Sequence, residues 1–273
     1  MSKAEAITKG KEIAATIIAA EAVELLNTGH PDKAIKLFEE KALENLPNVD
    51  LPKAKFNMAI AYQQLGEIGK MIQALEEANK LGYDNGAVVN LYFYAGTELQ
   101  KKGDHATAEK ILSDLSKNPI CPDDLKIDVF ARLAETQQAQ GNNATYIKSL
   151  EDAVAAYEAA PSPKFSELAF SAYNILGKDT LDQTPLAGVK VSDTNTLKKL
   201  YAQAKGYFTE AMKIHDNNHA LLNNLGLAEK GLHEYTEAQA HIAQAFDLEA
   251  NPIYSENLTG LVTDAALHGV DLV

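Results

Sequence analysis

The sequence has no tryptophan, one cysteine, one arginine and no apolar run approaching the roughly 18–20 residues that a membrane-spanning helix needs. A lone cysteine, Cys121, excludes an intrachain disulfide, and nothing in cysteine usage points to an oxidising compartment. The expected location is therefore cytoplasmic. Cys121 lies beside Pro119 and Pro122 with no histidine near it in sequence, so it reads as an inert thiol. Phosphate-cradling glycine loops, Cys-x-x-Cys pairs and helical metalloprotease patterns are missing too. No enzyme activity and no cofactor are expected. One spacing invites a metal reading, His215-Asp216-x-x-His219, with His233 and His241 further on. The pair falls where one helix ends and the next begins, so a solvated turn is expected and no metal site.

Positive charge is scarce. The net charge is −13, and residues 1–60 hold eight Lys against nine acids, which leaves about −12 on the remainder. Such a surface repels phosphate backbones and anionic lipid, arguing against nucleic acid and membrane as partners. It suits simple solubility, or the steering of a basic partner. Near the N-terminus, Lys3, Lys9 and Lys11 precede the apolar stretch Ile13–Ala20, as in a signal peptide. Glu12 and Glu21 bracket that stretch, and apolar spacing continues through Val23 and Leu26, as in an amphipathic helix. The amphipathic helix is the expectation, and the segment is long enough to supply more than one repeat helix.

What the sequence does contain is a period. Gly29, Gly66, Gly103 and Gly141 stand 37, 37 and 38 residues apart. Aligned on them, position +5 holds Ala34, Met71, Ala108 and Tyr146, and position +9 holds Phe38, Leu75, Leu112 and Leu150. Position −4 holds Leu25, Tyr62, Leu99 and Gln137, and position −7 holds Ala22, Ala59, Gly96 and Ala134. Pro47, Pro119 and Pro161 close units where a helix must stop. Small residues at matched positions on two successive helices let their axes approach to about 8–10 Å. One helix pair cannot bury both its faces, so successive pairs must stack.

Two further units follow. Phe165–Leu176 reads as a helix ended by Gly177, with its partner displaced to Asn195–Ile214 by an insertion of about 22 residues. The insertion, 178–194, reads as a loop, either a partner-binding element or a segment folding Leu181, Leu186, Val189 and Val191 back onto the fifth unit. The last unit carries Leu222, Leu225-Gly226, Tyr235, Ala238, Ile242, Ala245 and Pro252. After it, Tyr254, Leu258, Leu261, Val262 and Ala265 share one helical face, as a covering helix would.

Leu225-Gly226 with Tyr235, Ala238, Ala245 and Pro252 resembles a tetratricopeptide repeat, as do Gly96 with Gly103-Asp104 and Ala108, and Tyr62 with Gly66 and Ala78. The resemblance runs over about residues 16–252. It implies an all-α fold, a right-handed superhelical array of antiparallel helix pairs forming one solenoid over 1–273. About six repeats are expected, at 16–48, 52–85, 89–121, 125–160, 164–216 and 219–252, with a capping helix at 253–268. The sequence departs from the family in its period, near 37 against 34, in lacking tryptophan, and in the insertion. The extra residues should lengthen helices or the turns between repeats.

In that family the first helix of each repeat lines a concave groove that takes peptides or partner helices. Carried over, the groove shows Phe56, Asn57, Ile60 and Gln63, then Asn90, Phe93, Tyr94 and Thr97. Arg132, Glu135 and Gln138, then Asn223, Asn224 and Leu227, continue it. Rings give contact area at low entropic cost and amides can satisfy a peptide backbone. At least one ring of Tyr92-Phe93-Tyr94 must enter the core, and Arg132 could equally pair with Glu135. Repeat domains that grip acidic chaperone tails use Lys/Arg and Asn, but the matching slots hold Ala19, Val23, Asn57, Asn90 and Tyr94, so weak or no binding is expected. The expected function is a non-catalytic scaffold or adaptor for a protein or peptide partner. The alternative is a structural subunit, with self-association aided by the apolar tail Gly269–Val273.

Overall fold

The computed structural model describes residues 2–83 and 86–272. The boundary expected at residue 85 and the last tail residue, Val273, lie outside the described residues. The chain forms two compact units, Met1–Pro122 and Asp123–Val273. Among the described residues the structure is helical throughout, without strands. No helix there is long and apolar enough to cross a membrane.

The first unit holds α1 (Lys3–Asn27), α2 (Pro31–Leu37), α3 (Leu51–Gln64), α4 (Ile68–Lys80), α5 (Gly86–Lys101) and α6 (His105–Ser116). The N-terminal segment makes a single helix. It starts at a capping box in which Ser2 accepts from the Glu5 amide while the Glu5 carboxylate accepts from the Ser2 amide. Only Ala15, Ala22 and Leu26 of α1 are buried. The second unit holds α7 (Asp123–Ala139), α8 (Asn143–Ala159), α9 (Ser166–Asp182), α10 (Thr194–Met212), α11 (His219–Gly231), α12 (Tyr235–Leu248) and α13 (Pro252–Leu267). Each odd-numbered helix from α1 to α11 pairs antiparallel with its successor.

The periodic glycines make the turns inside the pairs. Gly29, Gly66, Gly103 and Gly141 all have φ between +71° and +81°, the left-handed region that a Cβ penalises. Each turn closes alike: the amide after the glycine donates to the carbonyl five residues earlier. His30 donates to Leu25, Glu67 to Tyr62, Asp104 to Leu99 and Asn142 to Gln137, at 2.8–3.0 Å. These bonds satisfy carbonyls that the helix end would leave unpaired.

The small residues seven positions earlier set the distance between paired helices. A Cβ on Gly96 would lie 2.8 Å from the Leu112 side chain, and one on Gly226 would lie 2.5 Å from Ile242. Ala22, Ala59 and Ala134 occupy the same place, at most 1% exposed. In the five pairs without an insertion this residue is 12 positions before its counterpart on the second helix (Ala34, Met71, Ala108, Tyr146 and Ala238). The extra length relative to a 34-residue period therefore lies between pairs. After α2 it takes the form of a π-helical turn, Phe38–Ala42, in which the Leu43 amide donates to the Phe38 carbonyl at 2.9 Å.

The fifth pair corrects the sequence reading. Gly177 does not end a helix; α9 runs through it to Asp182. A Cβ on Gly177 would lie 2.5 Å from the Phe208 ring, so this glycine is the packing residue equivalent to Gly96 and Gly226. In all six pairs the first helix ends five residues after that position, at Asn27, Gln64, Lys101, Ala139, Asp182 and Gly231. Gly177 and Ala204 are 27 apart instead of 12, so the insertion is 15 residues, not 22. Eight of them enlarge the turn, now 183–193, and seven extend α10 by two turns at its N-terminus. Thr184 stands where the turn glycine would be and is fully buried, its hydroxyl donating to the Leu181 carbonyl at 2.7 Å. The fold-back expectation fails for Leu186 and Val189, which are exposed, while Val191 at the end of the turn is half-buried. Leu181 is buried as part of α9, while Tyr201 in the extended α10 packs its ring on Gly231.

Helix α13 covers the last pair with Tyr254, Leu261 and Ala265. Lys230 of α11 donates to the Gly260 carbonyl at 3.1 Å, and Asn257 donates to the Asn223 side chain at 2.8 Å.

Candidate functional site

The first helices of unit 1 present a face built by helical spacing. On α3, Ala54, Met58, Ala59, Ala61 and Tyr62 are buried in the core. Asn57, Ile60 and Gln63 recur every three residues on the opposite stripe and are half-buried. On α5, Val88, Val89, Leu91, Ala95 and Gly96 are buried, Asn90 is exposed, and Phe93, Tyr94 and Thr97 are half-buried. The three consecutive rings separate as helical geometry requires. Tyr92 turns towards the second helices, where its hydroxyl accepts from Asn79 at 3.3 Å and burial pushes its pKa up to about 12. Tyr94 leans on the core, and Phe93 is not among the residues packed against it. Thr97 donates to the Phe93 carbonyl at 2.9 Å, which removes its hydroxyl from competition for a partner.

Two residues assigned to this face serve the fold. Phe56 is 7% exposed, with its ring stacked on Tyr83 at a centroid distance of 4.7 Å. In unit 2, Asn223 is 6% exposed and is spent on Asn257, because α13 covers that part of α11. Asn224 stays half-buried. Arg132 pairs with Glu135 of its own helix at 2.9 Å, with 42% and 49% of the two side chains exposed, a geometry of little energetic consequence.

Asn57 also borders a cavity of about 170 Å³ between α1 and α3, lined by Thr16, Ala19, Val23, Asp50 and Lys53 among others. A larger cavity in unit 1, about 320 Å³, lies on the second helices. Ile72, Glu76, Asn79, Tyr92, Lys110, Ile111 and Asp114 line it. Sequence reasoning missed it because the family orientation directs attention to the first helices; the signal present was the spacing of Ile72, Glu76 and Asn79 along one side of α4.

His215, His219 and His241 are each taken up by a different carboxylate. His215 pairs with Glu167, His219 with Glu249 and His241 with Glu229, each at 2.7 Å. Cys121 is buried.

Residues 52–82 match the family model for the tetratricopeptide repeat. No curated protein matches the chain by sequence. Among solved structures the chain is similar to YrrB, described as a TPR protein with an unusual peptide-binding site, at 15% identity and TM-score 0.47, covering 83% of this chain and 97% of that one. It is also similar to the C-terminal part of a TPR repeat-containing protein from Cytophaga hutchinsonii, at 15% identity and TM-score 0.45, covering 92% and 87%. A third similarity is to PilF of Pseudomonas aeruginosa, at 16% identity and TM-score 0.42, covering 92% and 99%. Residues 52–82, which span α3 and α4, thus match a tetratricopeptide repeat, and their spacing recurs in the neighbouring helix pairs.

Proposed function

We propose that this chain is a non-catalytic scaffold that binds a peptide or a partner helix along the exposed stripe of α3 and α5, its repeats forming one array over residues 1–273. The observation that carries the reading is the half-buried ring of Phe93, which is outside the core cluster of its unit. It stands between exposed Asn90 and half-buried Thr97 on a face with no lysine among the residues named. A solvated helix face would spend those positions on charge. An aromatic anchor beside amides fits a partner that buries apolar side chains and satisfies its own backbone. Arg132, Glu135 and Asn224 border this function at most, since the first two already pair with each other. Acidic chaperone tails remain poor candidates, because the slots at Ala19, Val23, Asn57, Asn90 and Tyr94 offer no cation.

Selection of a random peptide library on the full chain tests the reading. Selected peptides are expected to lose about tenfold or more in affinity on Phe93→Ala, a loss typical of an interface anchor. Substitution of Ile111 on the second helices should leave affinity unchanged. Peptides that bind Phe93→Ala as tightly as the parent would overturn it.

One observation favours a structural subunit as the second reading. Ile13 and Ile17, one helical turn apart on α1, are 54% and 63% exposed. The apolar tail gives this reading less support than its sequence suggested, because Val270 and Leu272 pack against their own unit. Concentration-dependent mass in light scattering, abolished by Ile13→Lys with Ile17→Lys, would select it.

A further inference from the structure

Four turns inside the helix pairs hold glycine at φ between +71° and +81°; the turn between α11 and α12 holds His233 at φ +65°. His233 lies seven residues after Gly226, as Gly29, Gly66, Gly103 and Gly141 lie seven after their packing residues. A side chain there costs about 1 kcal/mol or more in backbone strain, and among the described residues it is the sole non-glycine with positive φ. This departure from glycine draws attention to what the histidine ring touches.

The ring meets two groups from α13. Ligand atoms of His233, Asp264 and His268 all lie within 4.8 Å of one another, and the two imidazole centroids are 4.6 Å apart. Asp264 lies in the last turn of α13 and His268 caps that helix, four residues on. At the centre stands the hydroxyl of Tyr235, 3% exposed, 2.6 Å from His233 Nδ1, 2.9 Å from His268 Nδ1 and 3.1 Å from Asp264 Oδ2. A phenol has one proton and two lone pairs. Donating to Asp264 and accepting from both Nδ1–H groups uses all three, the His268 Nδ1–H being shared with the Asp264 main-chain carbonyl at 2.9 Å. An imidazole that donates through Nδ1 in this way keeps an Nε2 lone pair for a ligand, the part an orienting second partner plays at metal-binding histidines.

We propose that His233, Asp264 and His268 form a site for a zinc-class divalent cation, which ties the last covering helix to the turn of the last repeat. Two imidazoles and one carboxylate suit zinc, and the nitrogen donors disfavour calcium and magnesium. A tetrahedral site would bring the donors to about 3.3 Å from one another. His233 and His268 are exposed and can close that distance by side-chain rotation. The other histidines of this region, His215, His219 and His241, are held by carboxylates elsewhere.

The test is calorimetric titration of the chelator-treated full chain with zinc chloride, beside thermal melting with and without zinc. The expected result is one zinc per chain with a dissociation constant on the order of 10 μM or tighter. His233→Gly should weaken binding about tenfold or more. It restores the residue that the other turns use, so its melting temperature without zinc should match or exceed the parent's. Asp264→Asn should weaken zinc as well, and magnesium should not compete. Zinc bound as tightly by His233→Gly, or no saturable binding to the parent in the micromolar range, would overturn the site and leave a hydrogen-bonded clasp.

Discussion

Replacing Phe208 with alanine is expected to destabilise the second unit by about 3–5 kcal/mol, among the larger effects that one core truncation produces. Phe208 is fully buried on α10, and its ring rests on the backbone of α9 at Gly177. Truncation removes the apolar transfer energy of the ring and opens a void bordered by a glycine, which has no side chain to move into it. Ala204 and Ala211, the buried neighbours on the same face of α10, are too small to help. Urea denaturation followed by helical circular dichroism should show a lower midpoint with an unchanged slope. Phe93→Ala, on a half-buried ring of the first unit, should shift stability by less. A loss below 1 kcal/mol for Phe208→Ala would show that the α9–α10 contact is not the one described.

The second large effect is a reversal of sign. Gly177→Ala places a methyl 2.5–2.8 Å from ring atoms of Phe208, so in the parent it should cost about 1–3 kcal/mol by overpacking. In the Phe208→Ala background the obstruction is gone. There the same substitution should stabilise by about 1 kcal/mol, because alanine in a helix interior outperforms glycine. The double-mutant cycle then gives a coupling of about 2–4 kcal/mol, far outside the additivity of independent sites. Additive behaviour would contradict the assignment of Gly177 as a packing residue.

Gly177 also shows where sequence ran short. Glycine does two jobs in this chain: it permits positive φ at Gly29, Gly66, Gly103 and Gly141, and it permits close approach at Gly96, Gly177 and Gly226. The residue type is the same for both, so aligning Gly177 with the first set misplaced the insertion by seven residues. A discriminating signal was present, since Leu176-Gly177 repeats Leu225-Gly226. The helix pairs themselves were legible because their packing is local: positions 12 apart must meet when three residues of turn join two helices. The candidate face was legible only in part. Phe93 and Asn90 stand where spacing put them, whereas the fates of Phe56 and Asn223 depend on Tyr83 and Asn257, 27 and 34 residues away, which no periodicity reports. The cluster at His233 was hidden for the same reason, its partners lying 31 and 35 residues downstream at the C-terminal end of α13.

The central claim, that partners bind on the first helices of unit 1, is tested most directly by hydrogen exchange on the full chain with and without a selected peptide. Binding is expected to slow exchange over residues 57–63 of α3 and 90–97 of α5, with no change over 107–118, which borders the larger cavity of the second helices. Protection confined to 107–118, or to the enlarged turn at 183–193, would contradict it and move the binding site to the other face or to the insertion.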